Sequence, residues 1–79
     1  MGLTEREKEW GSKASRFLKA ELKRADISYR ELAERLKAHG LEETEASVTN
    51  KIARGTFPAT FFLAALVAIG VGTVTLEDI

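Results

Sequence analysis

From Phe61 to Ile69 nine consecutive residues, FFLAALVAI, carry no polar side chain. Pro58 before the run suits the first turn of a helix, and Gly70 after it suits a helix end. A helix that is apolar almost all round must be covered on most of its sides. The whole chain has 79 residues, room for one domain (1–79). A domain of that size buries only about 60% of the surface its unfolded chain exposes. A second copy lying against the Phe61–Ile69 helix is therefore the expected way to complete its burial, which makes the chain a homo-oligomer, most simply a homodimer.

The same region tests for a membrane span, because the twenty-one residues from Thr56 to Leu76 carry no charge. Pro58, Gly70 and Gly72 interrupt the stretch, and its strictly apolar part is far shorter than the roughly 20 residues a spanning helix needs. The segment reads as a core helix.

Upstream, three further helices are legible. The first is predicted over about Thr4 to Arg24, with Trp10, Ala14, Phe17, Leu18 and Leu22 three or four apart as its core stripe. Lys13, Arg16, Lys19 and Lys23 line its other faces as solvated cations, and Thr4 with Glu7 has the pattern of a capping box. The second is predicted over Ser28 to His39: Ser28 and Glu31 form a capping box, Ile27 and Leu32 a hydrophobic staple, and Gly40 the stop. Leu32, Ala33 and Leu36 are its buried stripe. A short acidic connector leads to a third helix, capped by Glu43 or Thr44, running to Arg54 and ended by Gly55, with Val48 and Ile52 inward. Ser47, Asn50, Lys51 and Arg54 fall three and four apart on it as one polar, partly cationic ridge. The tail from Val71 to Ile79 fits a short strand or a last helical turn and is read as mostly irregular. The sum is an all-α fold, a small four- to five-helix bundle with a helix-turn-helix-like core.

Composition excludes several functions. There is no cysteine, so no disulfide, thiol nucleophile or cysteine metal site. The charged start from Met1 to Trp10 is unlike a signal peptide, and a reducing cytoplasmic setting is expected. No nucleophile stands beside a base and no glycine loop would cradle a phosphate, so neither an enzyme nor a cofactor is expected. His39, the one histidine, lies near Glu42 and Glu43, but a cation at a helix C-terminus explains it more simply than a metal. Twelve basic residues balance twelve acidic ones, so any affinity for nucleic acid has to come from a local face.

The order of these signals resembles the lambda-repressor-like helix-turn-helix family. ISYRELAERL is similar to its second helix, SVTNKIARG to its recognition helix and terminal glycine, and LAALVAIGV with TLEDI to its closing helix and final turn. The chain also resembles, over nearly its whole length, an uncharacterised bacterial domain family of unknown function. It departs from the repressor-like pattern in KAHGLEETEA, longer by about five residues, and in the four-residue spacing of Val48 and Ile52. The repressor-like resemblance implies a DNA-binding transcriptional regulator. Ser47 and Asn50 would face base edges, Lys51 a guanine or a phosphate, and Arg54 the backbone, while Ser28, Tyr29 and Arg30 would surround a phosphate site at the second helix's amides. Against it, Glu42, Glu43 and Glu45 crowd the end of the third helix that would enter the groove, where carboxylates repel phosphate. The competing expectation is a helical oligomerisation or adaptor domain that binds a protein partner and no DNA.

Overall fold

A computed structural model describes residues 4–79; residues 1–3, part of the charged start, lie outside it. Four α-helices follow one another, α1 (Glu5–Ala25), α2 (Tyr29–Lys37), α3 (Glu45–Arg54) and α4 (Ala59–Ile69), and a single 3₁₀ turn, Leu76–Asp78, closes the chain. The fold is all-α, as the periodicities require, and the described tail contains no strand.

Both α1 and α2 pack on α3 and on α4. The core they share is built from Leu18 and Leu22 of α1, Leu32 and Leu36 of α2, Val48 and Ile52 of α3, and Phe61, Ala65 and Leu66 of α4. Among the described residues no single helix is long and apolar enough to cross a membrane. The pair α3 and α4, which together have that composition, is bent by 116° at the break between them.

Three helices end by one device. The amides of Ile27, Leu41 and Val71 donate back to the carbonyls of Leu22, Leu36 and Leu66, at 2.9, 3.1 and 2.9 Å. The residue before each of those amides, Asp26, Gly40 or Gly70, lies in the left-handed region. This is the Schellman closure, in which the residue past the turn adds a hydrophobic contact. Ile27 is buried and Leu41 and Val71 pack against the core, so each helix end also pins the next connection. The last turn of α2 loosens into i→i+3 bonds through Ala38, His39 and Gly40, and the regular helix stops at Lys37, two residues short of the expected end.

Two expectations require correction. Trp10 is 64% exposed instead of core, because Thr4 to Trp10 are all exposed and the first turns of α1 extend past the elements that cover it. At α2 only half of the capping box forms. Ser28 accepts from the Glu31 amide at 3.1 Å, but the Glu31 carboxylate turns to Arg35, 2.6 Å away, whose guanidinium also donates to the Ala68 carbonyl of α4 at 3.0 Å. Glu31 is thus spent on joining α2 to α4. Along α4 the chain itself covers Phe61, Ala65, Leu66, Ala68 and Ile69. Only Leu63 and Val67, 62% and 60% exposed, remain as a large apolar ridge along it.

Candidate nucleic-acid interface

The third helix is positioned by an unusually close approach to α1. Gly11 of α1 faces Gly55, which caps α3 at φ 68°. A Cβ on Gly11 would stand 2.3 Å from the Gly55 carbonyl oxygen, and one on Gly55 would stand 2.7 Å from that of Gly11. Neither backbone can yield without moving a helix, so both positions require glycine. One turn along, buried Ser15 donates its hydroxyl to the Ile52 carbonyl at 2.6 Å, satisfying an acceptor near the open end of α3.

The polar ridge expected on α3 divides in two. Ser47 belongs to the capping box: its amide donates to the Thr44 hydroxyl at 3.1 Å, and the Thr44 amide donates to Ser47 Oγ at 2.8 Å. The Ser47 hydroxyl in turn donates to Glu43 Oε1 at 2.6 Å. Lys51 donates to the other Glu43 oxygen, Oε2, and its ammonium lies 5.2 Å from the centroid of the Phe61 ring. Glu43 therefore does not belong to an exposed acidic connector; its side chain is only 7% exposed and is enclosed by Ser47 and Lys51. Burial by itself raises its pKa, but the hydrogen bonds from Lys51 and Ser47 and the charge of Lys51 outweigh that, and the carboxyl sits below its ordinary range.

Asn50 and Arg54 point outward, both exposed, and among the described residues neither side chain has a hydrogen-bond or ion-pair partner. The rest of the outward face is small: Ala46, Thr49 and Ala53 are exposed, and the Thr49 hydroxyl is occupied by the Glu45 carbonyl at 2.8 Å. Glu42 and Glu45 remain exposed at the N-terminal end.

The start of α2 is charge-balanced. Ser28 is the cap, Tyr29 packs on the core, and Arg30 lies 3.8 Å from the Glu34 carboxylate in a shallow depression that Glu31 and Arg35 also line. The structure brings Ser28, Tyr29 and Arg30 together, but with a carboxylate beside each guanidinium there.

What the residue pattern did not reveal is a cleft of about 350 Å³ between α1 and the C-terminal end of α3. Arg16 and Lys19 border it from one side and Arg54 from the other. Among the described residues none of the three is ion-paired. A glycine in mid-helix, Gly11, was the available sign that another backbone comes close to α1, but it does not say which one. His39 is exposed in the turn after α2, and among the described residues no three metal-ligating side chains converge.

The class these features define is a small all-helical domain in which a short, outward-facing helix is held by two others. The chain belongs to a family described as a domain of unknown function, DUF6471, whose model matches residues 10–74. No curated protein and no solved structure matches it. The comparisons lend no support to the repressor-like resemblance.

Proposed function

We propose that the domain binds duplex DNA, with the outward face of α3 in the major groove and the cleft between α1 and α3 on the phosphate backbone. The observation that carries this reading is the grouping of Arg16, Lys19 and Arg54, three cations without carboxylate partners, at the edge of a helix face that is otherwise small. Ala46, Thr49 and Ala53 let the helix approach a groove floor, and Asn50 is the side-chain type that pairs bidentately with adenine. The enclosure of Glu43 by Lys51 removes one of three carboxylates that opposed the reading, while also withdrawing Lys51 from the bases. In this reading Arg54, Arg16 and Lys19 hold the backbone, Asn50 reads sequence, and Ser47 and Lys51 shape the helix instead of touching DNA.

The test is titration of a labelled random-sequence duplex followed by anisotropy at several salt concentrations. Three phosphate contacts per copy give a log–log salt slope of roughly −3. Arg16→Ala with Arg54→Ala flattens that slope by about two and weakens binding to every duplex, whereas Asn50→Ala mainly erodes sequence preference. Absence of duplex binding at about 50 mM salt, where electrostatic contacts are strong, would sink the proposal.

A second reading, a homo-oligomer or adaptor, is favoured by the ridge of Leu63 and Val67 on a helix without a single charge. The two readings are compatible, since a dimer would present two α3 helices to adjacent half-sites. Light scattering decides it: Leu63→Asp with Val67→Asp converts an oligomer to a monomer, and a wild-type chain that is already monomeric at high concentration rules it out.

A further inference from the structure

On the other flank of Arg16 a second groove, of about 630 Å³, runs between α1 and the segment that follows α4. Its floor is apolar: Phe17, Val71 and Val74 are half-buried there and pack on the core. Its cationic edge is formed by Lys13, Arg16 and Arg24. Arg24 is answered by Glu21 in an ion pair, whereas Lys13 and Arg16 are in no ion pair among the described residues; Asp78 is the other side-chain carboxylate of the lining, beside the chain-terminal residue Ile79. Lys13 rests 4.5 Å from the centroid of the Trp10 ring, a contact that positions the ammonium without neutralising it. The volume falls in the range of roughly 300–1,000 Å³ common for small-molecule sites.

This lining discriminates among ligand classes. A bare inorganic anion would leave the apolar floor wet, and a neutral hydrocarbon would leave Lys13 and Arg16 without an ion-pair partner. A molecule with both parts satisfies both. We infer that the groove binds a small amphiphilic organic anion, its aliphatic or aromatic body on Phe17, Val71 and Val74 and its carboxylate between Lys13 and Arg16. The inference is independent of duplex binding, although Arg16 borders both clefts.

Octanoate, below its micellar range, is a suitable probe, with 1-octanol and acetate as its two halves. Trp10 is the chain's only tryptophan, so its emission reports ligand arrival at Lys13. Octanoate is expected to change that emission saturably and to shift the backbone amide resonances of Val71 to Val74, with 1-octanol and acetate each binding at least about tenfold more weakly. By calorimetry Arg16→Gln and Lys13→Gln each weaken octanoate about tenfold, the scale of one lost charge-assisted hydrogen bond, with unchanged circular dichroism. The proposal is overturned if 1-octanol binds as well as octanoate, if both variants bind like wild type, or if the shifts map to Leu63 and Val67 instead.

Discussion

On the inward side of α3, Ser47 and Lys51 close round the Glu43 carboxylate; on the outward side, three residues past each of them, Asn50 and Arg54 meet only solvent. The residue types are nearly the same, and the helical spacing puts all four on what looks like one ridge. The difference lies in what stands opposite. Glu43 comes from the connector and Phe61 from α4, and together they draw the lysine in. Across the cleft from Arg54 stand Ser12, Ser15 and two more cations, and among the described residues no carboxylate lines it. A polar residue on a helix is therefore free for a ligand only if no neighbouring element has already claimed it.

Substitutions on the two sides should separate accordingly. The largest effect is expected where the inward side meets α1: Gly11→Ala puts a methyl into the Gly55 backbone, and a loss of about 3 kcal/mol, read by chemical denaturation, is a large share of a small domain's stability. Next, Lys51→Met leaves Glu43 buried and unpaired. Breaking a fully enclosed pair costs about 3–5 kcal/mol, but Lys51 is itself 35% exposed, so about 2 kcal/mol is expected. The double change Glu43→Leu with Lys51→Met should recover most of that; if it does not, the ion pair is more than a local compensation.

The same pair sets an acid limit. Because the folded-state pKa of Glu43 is depressed, the folded state holds its proton less tightly than the unfolded chain does. The stabilisation is complete above the ordinary carboxylate range and is lost as pH falls through the lowered folded value. Melting temperature should fall with acidification in that window, and Glu43→Gln should lessen the slope.

A smaller effect, of opposite sign, is expected away from α3. Asp26 holds the left-handed position at the end of α1 with φ 58°, where glycine fits without strain, so Asp26→Gly should stabilise by roughly 0.5 kcal/mol. The outward side should give the smallest effect on folding: Asn50→Ala and Arg54→Ala are each expected to stay within about 0.5 kcal/mol of wild type. A larger stability change in either would show that these residues too have inward partners, which would remove the basis for a free recognition face.

Most of the fold could be read along the chain because its signals are local. Thr4, Thr44 and Ser28 mark helix starts through hydrogen bonds three residues long, and Gly40, Gly55 and Gly70 mark ends through their own backbone conformation. The end of α1 was less legible, since Asp26 does there what glycine does elsewhere. The candidate site was legible only in part. Asn50 and Arg54 stand where helical spacing puts them, but the partners of Ser47 and Lys51, and the company of Arg16 and Lys19, depend on contacts across the fold.

The chain alone thus determined four helices, most of their caps and the burial of one face of the FFLAALVAI run, because periodicity and capping act over a few residues. Tertiary packing decided which charges are consumed and which are free. The contact of Gly11 with Gly55 sets α1 against the end of α3, and from that crossing follows the cationic cleft, while Phe61 of α4 and Glu43 of the connector make the enclosed carboxylate side. Such pairings join residues far apart in the chain, as Ser15 and Ile52 show across 37 positions, and no local preference encodes them.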